Sequence, residues 1–430
     1  MQVSSRFMNW AFVLCLSGAG VALATETRLG VLRYNGGVSD ETLVFRYPGM
    51  ISKYKIALIE LGTSSDTQAY GAAFADAGGF SIGAALSRTD WMFTSGMITH
   101  NVNGSRSSAL SLFDAYETAM MSGATPALYA PTRPIEFLAG FNIGAGTLGL
   151  RLSIADYKNK TSTNVNNVST SNDYTAQQAE LAIGFHTDAA GSMDLALTMS
   201  PTANQKRGET ANGTDSSTSV KGSSTAIDGR WLSSENESSP YVKAKLATRS
   251  MKATGRSGGR DFSSKFSDQV TSVEGGYVGL ASANNAKLFV GAELMLTSSK
   301  GPSITGTGAT AVPSYTANDE SVKIDANVVS GTLSGEVDAA WGFGLMAGMH
   351  YVMLGDIVTK DNTTNQNIKK SISFPETSDS TLWSLGLNYK AGALRLDAEY
   401  KKEYLHKGPH FLAGNTTAPL LTKISASYAF

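Results

Sequence analysis

The sequence predicts an all-β protein: a transmembrane, antiparallel, up-and-down β-barrel of about 14–16 strands. Apolar and polar residues alternate over runs of about ten residues, the length of a tilted membrane strand. The connections between these runs are alternately short and long. The chain has 430 residues, of which 17% are charged, against about 25% in soluble proteins. With no linker dividing the chain, one large closed sheet accounts for its length.

The first 24 residues have the pattern of a secretory signal peptide. Arg6 supplies a positive charge, residues 8–16 are apolar, and Ala22-Leu23-Ala24 is a small-x-small cleavage site. We expect cleavage after Ala24. The apolar run is shorter than the roughly 20 residues that a membrane-spanning helix needs, which argues against a retained anchor.

Cleavage would remove one charged residue, Arg6, and the single cysteine, Cys15. The exported chain then has no disulfide. Its net charge falls from −1 to −2, because one of 35 basic side chains is lost and all 36 acidic ones remain. This balance predicts no nucleic-acid partner.

Residues 25–53 form a lead segment before the first clear alternating run. Asn35-Gly36-Gly37 and Pro48-Gly49 are turn signals within it. The sequence leaves three alternatives for this segment: an extra strand, a periplasmic tail or a small plug.

The barrel is predicted for residues 54–430. We expect about sixteen strands, an even number as in bacterial barrels, although about fourteen stays an alternative because the runs 54–62 and 225–232 are the least regular. The runs are 54–62, 67–76, 79–90, 135–144, 147–157, 175–186, 192–200, 225–232, 241–251, 269–281, 287–297, 330–340, 342–354, 381–390, 393–404 and 420–430.

The connections sort by length in the way that membrane barrels require, with short periplasmic turns and long extracellular loops. If the chain ends on the periplasmic side, the long connections all lie outside. They are 91–134, 158–174, 201–224, 252–268, 298–329, 355–380 and 405–419. The longest, 91–134, has apolar residues at helical spacing. We expect an amphipathic helix there that narrows the barrel, caps a groove or packs on the surface.

One face of each predicted strand is free of charge, and the other carries the charged residues. In the run 394–401, Leu394 and Leu396 lie on one side and Arg395 and Asp397 on the other. A lipid-facing side and a wet lumen explain this asymmetry. The predicted pore-lining residues are Arg151, Glu180, Asp194, Asp228, Arg230, Lys243, Lys245, Arg249, Lys287, Glu293, Lys390, Arg395, Asp397, Glu399 and Lys401. Their basic excess predicts weak anion preference, the alternative being a salt-bridged lumen without selectivity.

The last residues support a membrane location. Lys423 is followed by Tyr428 and the terminal Phe430, with Ser425 where a glycine is usual. This pattern resembles the C-terminal assembly signal of Gram-negative outer-membrane β-barrels. The resemblance implies an outer-membrane location, insertion by the barrel-assembly machinery and contact with membrane lipid and lipopolysaccharide. Porins often form trimers, so a homo-oligomer is one partner that the resemblance allows.

The leading functional prediction is a porin-like channel for passive diffusion of small hydrophilic solutes, because an open barrel of this size holds an aqueous channel. One alternative is a hydrophobic-substrate transporter like the long-chain fatty-acid family, although that family's N-terminal Asn-Pro-Ala signature is absent. Another is a surface adhesin or receptor displayed on a barrel.

We predict no enzyme activity, cofactor, metal site or catalytic residue. None of the five histidines pairs with another at metal-ligand spacing in a suitable acidic context. They are His100, His186, His350, His406 and His410.

Overall fold

A computed structural model describes the barrel and most of the lead segment. The described residues are 25–32, 41–62, 69–88, 135–165, 168–189, 191–211, 214–234, 238–257, 260–283, 285–308, 323–361, 366–373, 381–400 and 421–430. The predicted signal peptide and the predicted helix within 91–134 lie outside them. Within the described ranges, no helix is long and apolar enough to cross a membrane.

The described residues form one antiparallel sheet of seventeen strands. They are β1 (Ile56–Gly62), β2 (Tyr70–Asp76), β3 (Phe80–Leu86), β4 (Ile135–Ile143), β5 (Gly146–Val165), β6 (Val168–Thr187), β7 (Ser192–Ala211), β8 (Thr214–Leu232), β9 (Ser239–Ser257), β10 (Arg260–Ala283), β11 (Ala286–Gly308), β12 (Lys323–Asp338), β13 (Phe343–Asp361), β14 (Gln366–Ser373), β15 (Thr381–Ala391), β16 (Leu394–Tyr400) and β17 (Leu421–Ala429).

The sheet closes on itself. Strands that follow one another in the chain pair along the sheet, and β1 pairs with both β2 and β17. β14 pairs with the far part of β13, whereas β15 pairs with its near part. Sixteen of the described strands therefore form a closed ring. The predicted fold class, an all-β up-and-down barrel, is confirmed, and each of the predicted runs overlaps one ring strand.

The two ends of the barrel differ. At one end, which we call the turn end, short connections such as residues 77–79, 144–145 and 392–393 join the strands. The last strand, β17, also finishes there, where the Phe430 amide donates to the Lys55 carbonyl at 3.1 Å. We call the opposite end the loop end.

The middle strands are much longer than predicted. β10 has 24 residues, whereas about 9–11 suffice to cross a membrane. The prediction that 158–174, 201–224 and 252–268 are loops is wrong, since pairing continues to Val165↔Val168 and Ala211↔Thr214. These stretches are polar on both faces, so hydrophobic alternation does not reveal them. The sequence does carry one hairpin signal there, the dipeptide Asn212-Gly213 between the paired residues Ala211 and Thr214.

The two faces of the sheet have opposite character. Leu152 and Ile154 in β5 are exposed on the outer face, whereas Arg151 and Ser153, which alternate with them, are buried inside the barrel. Exposed outward residues also include Ile59, Phe137, Leu195, Ile227, Val242, Leu246, Val273, Leu288, Val290, Leu294, Leu333, Leu345 and Leu396. This apolar band is far larger than soluble proteins expose, and it matches the hydrocarbon-facing surface of a membrane barrel.

The lead segment forms short helices. Its elements are α1 (Glu26–Val31) and the 3-10 helices η1 (Glu41–Phe45) and η2 (Pro48–Lys53). The Thr25 side chain caps α1 by accepting from the Arg28 amide. Pro48 starts η2 at a position where its missing N–H costs no hydrogen bond. All three elements contact the inner face of the ring: α1 lies against β13 and β15–β17, and η2 against β3–β7.

Leu152→Arg tests the face assignment. Leu152 is 41% exposed on the outer face, and an arginine near mid-membrane depth costs about 2–4 kcal/mol. We expect less folded barrel, measured as heat-modifiable electrophoretic mobility after refolding into lipid vesicles, and a lower urea midpoint. Leu152→Met is the control and should behave as the wild type. Equal folding of both variants would contradict an outer face in lipid.

Candidate functional site

The candidate functional site is the lumen at the turn end, where the lead segment meets the inner wall. Its first contact is an ion-pair cluster beneath α1. The Arg28 guanidinium donates from Nε and Nη2 to the two Glu336 carboxylate oxygens at 2.9 and 3.0 Å. The Thr25 hydroxyl donates to Asp397 Oδ2 at 3.0 Å. Arg395 lies between the two acids, with Nε 2.8 Å from Asp397 and Nη2 3.6 Å from Glu336.

This cluster fixes the charge of Arg28. Burial by itself would lower the pKa of the guanidinium, but the attraction and hydrogen bonds of Glu336 outweigh it, so the pKa of Arg28 is raised. A two-pronged arginine–carboxylate pair is among the stronger polar contacts in proteins, because two charge-assisted hydrogen bonds form in a fixed geometry. Arg28 therefore holds α1 to β12.

Polar contacts also attach the second half of the lead segment. Arg46 forms an ion pair with Asp228 of β8. The Ser52 and Thr147 hydroxyls lie 2.8 Å apart. The Arg46 side chain stays 43% exposed to the lumen, whereas that of Asp228 is only 6% exposed. Arg46 is thus a charged residue on the lumen side of the lead segment.

Tyr47 turns its ring into the wall beside these contacts. The Arg230 guanidinium lies 5.8 Å from the centre of that ring, a cation–π distance. Burial raises the pKa of the Tyr47 hydroxyl to about 12, even though the Arg46 charge acts in the opposite direction. The phenol is therefore neutral under physiological conditions.

Apolar side chains of the lead segment fill much of the space inside the turn end. Val44, Phe45, Tyr47, Met50 and Ile51 are buried against inward residues of β1–β4 and β7. These wall residues are Ile56, Leu58, Tyr70, Ala72, Phe74, Ala85, Leu138 and Ala196. On the far side, Leu32 packs against Leu232, Tyr241, Val278 and Phe289 of β8–β11. The lead segment thus builds a hydrophobic core inside the ring.

Three glycines let η2 approach the wall. Gly140, Gly149 and Gly184 are paired side by side on β4, β5 and β6, and we call them the glycine row. A Cβ atom on Gly149 would lie 2.1 Å from the carbonyl carbon of Pro48, and one on Gly140 would lie 2.4 Å from Ile51 Cγ2. Side chains at these positions would collide with the lead segment, so only glycine fits.

Beside the glycine row, buried charges pair across neighbouring strands. Arg151 forms an ion pair with Glu180 and lies 3.6 Å from Glu136, which also accepts from Arg88 at 2.9 Å. Such pairs satisfy charges that would otherwise be costly to bury.

A second buried group lies nearer the turn end. Arg230 Nη2 is 2.7 Å from Asp194 Oδ2, and His186 Nδ1 is 2.7 Å from Asp194 Oδ1. Together these pairs neutralise the inner wall of β4–β8.

The structure places the predicted pore-lining residues in two groups. Buried in ion pairs are Arg151, Glu180, Asp194, Asp228, Arg230, Arg395 and Asp397. Partly or fully exposed are Lys243, Lys245, Lys287, Glu293, Lys390 and Glu399. Lys401 and the side chain of Arg249 lie outside what the structure describes. A role for these residues in conduction stays a prediction.

Sequence reasoning missed several inward-facing residues. Glu136, Glu274 and Glu336 follow the same alternation as the predicted set, so the pattern could have found them. The alternation of polar and apolar residues could not have identified Arg28 and Arg46, because the lead segment is not a strand.

The assembly-signal residues belong to the strand that closes the ring. Tyr428 pairs with Ala57 of β1 and Leu394 of β16. Lys423 Nζ lies 3.8 Å from Glu60 Oε1 inside the barrel, and Phe430 is exposed. Their role in assembly stays a prediction. Among the residues that the structure describes, no group of three or more His, Cys, Asp or Glu side chains could hold a metal ion.

Comparison with known proteins identifies no family. No family model and no curated protein matches the chain. Among solved structures, it is similar to the transport unit of the autotransporter AIDA-I from Escherichia coli, at 12% identity, 74% coverage of this chain, 98% of the other and a TM-score of 0.30. It is also similar to the copper transporter OprC, at 9% identity, 87% and 80% coverage and a TM-score of 0.32. These scores carry no functional argument.

Gly149→Ala tests the fit of the lead segment. The added Cβ would collide with Pro48, and overpacking of this kind costs about 1–3 kcal/mol. We expect η2 to leave the wall, so that trypsin cleaves after Arg46 or Lys53 in the folded barrel. Gly208→Ala in β7 is the matched control, because a Cβ there meets nothing within 4 Å. Equal protection in both variants would contradict the proposed fit.

Arg28→Met tests the ion-pair anchor. Removing the Arg28 partner of the buried Glu336 carboxylate should make the free energy of α1 docking less favourable by about 1–3 kcal/mol. The loss stays moderate because Arg395 still faces this carboxylate. We expect faster hydrogen exchange in α1 and an unchanged ring. Adding Glu336→Gln to Arg28→Met should recover part of the protection. No change in exchange would show that the pair does not hold α1.

Proposed function

We propose that the protein is an outer-membrane channel for passive diffusion of small hydrophilic solutes, with the lead segment narrowing its turn end. The observation that carries the proposal is the presence of water-accessible charges inside a ring coated with apolar residues. The side chains of Arg46, Lys243 and Glu274 are 43%, 20% and 21% exposed in the lumen. Charged walls of this kind suit hydrated solutes rather than apolar ones.

The strand number supports the same proposal. A barrel with sixteen strands in its ring is wide enough to hold an aqueous channel unless something fills it. The lead segment fills part of the turn end, which in this proposal faces the periplasm. Insertion by the barrel-assembly machinery, contact with lipopolysaccharide and association into homo-oligomers belong to the same proposal.

A surface receptor or adhesin is the second candidate. The observation in its favour is the length of the middle strands, since β10 extends well beyond the roughly 9–11 residues needed to cross a membrane. Its Ser- and Thr-rich extension would stand outside the cell. A hydrophobic-substrate transporter gains no such support, because lead-segment side chains occupy the apolar clusters in the described part of the lumen.

Reconstitution separates the two candidates. If the protein is a channel, the purified, folded protein should give stable ohmic steps in planar bilayers. Vesicles containing it should swell in small sugars and not in large oligosaccharides. Electrical silence of protein with heat-modifiable mobility would overturn the channel proposal, and binding of that protein to host-cell surfaces would then support the receptor.

A further inference from the structure

The inner wall of the barrel is covered unevenly. Inward side chains of β5–β8, including Ser153, Gln178 and Ser200, are almost completely buried. On β9–β11, the side chains of Lys243 and Glu274 are 20% and 21% exposed. Water therefore reaches one sector of the wall and is excluded from the sector beside it.

The exposed sector is a continuous set of inward residues on three neighbouring strands, Lys243, Lys245, Glu274, Gly276 and Glu293, which we call the polar strip. Lys243 is paired with Glu274, and Gly276 with Glu293. The Lys243 ammonium lies 2.5 Å from the Glu274 carboxylate. Charges of both signs thus lie next to each other along the strip.

Tyr241 packs against the polar strip. Its ring lies over Gly276, where a Cβ would be 2.7 Å from Tyr241 Cε1. The Tyr241 hydroxyl donates to Glu293 at 2.6 Å. Because the glycine has no side chain, the Tyr241 ring can occupy the space above it.

The strip stops at an apolar cluster near the turn end. Leu32, at the end of α1, is completely buried against Val278, Phe289 and Leu232. Lys287 lies one inward position beyond Phe289, and its side chain is 45% exposed. Water therefore reaches the wall on both sides of this cluster and not within it.

The other walls are closed by stronger contacts. The glycine row receives Pro48 and Ile51 on β4–β6, and the Arg28–Glu336 pair holds α1 on the opposite side. In the described part of the lead segment, Arg46 pairs with Asp228 of β8, and Leu32 covers the apolar positions of β8–β11 through apolar contacts. An apolar constriction of this kind can block hydrated solutes by dewetting.

We infer that solutes cross the barrel along the polar strip, and that the Leu32 cluster is the narrowest point of this route. The inference rests on the proposed channel function. The strip residues, rather than buried ones such as Arg151 and Asp194, then set the ion preference of the channel.

Single cysteines test the route. Because Cys15 lies in the predicted signal peptide, the exported chain offers a cysteine-free background. We compare Glu274→Cys with Ser200→Cys in planar bilayers while adding an anionic methanethiosulfonate reagent. Modification should reduce the current through Glu274→Cys and leave Ser200→Cys unchanged. A current loss confined to Ser200→Cys, or no loss in either conducting variant, would overturn the route. Silence of the folded wild type would instead overturn the channel function itself.

Truncation of two buried side chains tests the constriction. Leu32→Ala and Ile51→Ala each remove three carbon atoms from a completely buried residue of the lead segment. Single-channel conductance should rise for Leu32→Ala and stay at the wild-type value for Ile51→Ala. Heat-modifiable mobility checks that both variants fold. Unchanged conductance for Leu32→Ala, or an equal rise in both, would place the narrowest point elsewhere.

Discussion

Charged side chains buried on the inner wall of the barrel must find partners, and this requirement shapes the lead segment as well as the sheet. An apolar outer face forces every second residue of each strand inward. Near the turn end, those inward residues include arginines and carboxylates with almost no exposure to water. Isolated charges in such surroundings are very costly. Arg151 pairs with Glu180 across strands, and Glu336 pairs with Arg28 of the lead segment. The lead segment is therefore part of the charge balance of the wall.

The lead segment is held in two physically different ways. Around Pro48 the fit is steric, because the glycine row leaves space for a backbone and for nothing larger. Around Arg28 the attachment is electrostatic and directional, since it depends on a two-pronged ion pair. Steric fit and apolar packing tolerate little displacement, whereas an ion pair can exchange partners, and Arg395 already lies near Glu336.

These two attachments explain why the wall is covered unevenly. η2 covers β3–β7, and α1 covers β13 and β15–β17. Among the described residues, Leu32 packs against the wall between them, on β9–β11. The polar strip lies in the sector of the wall between these two attachments.

The closed barrel can be predicted from the sequence. Period-two alternation shows which residues share a face. The apolar face must be buried in a protein core or placed in lipid, and each of the predicted runs is a ring strand. The same alternation placed Arg151, Asp194 and Arg395 inside. It failed in the polar hairpins, where both faces are hydrophilic and period two leaves no trace, and in the lead segment, which has no period.

What the inward charges do depends on the tertiary structure. Whether Arg151 contacts water or Glu180 depends on strand register and on what fills the lumen, and neither is encoded in the pattern of one strand. Gly140, Gly149 and Gly184 are ordinary strand glycines in the sequence. They become a single feature once β4, β5 and β6 align and Pro48 lies against them. Local alternation is a property of neighbouring residues, whereas the lumen is made by residues hundreds of positions apart, which is why folding had to bring them together.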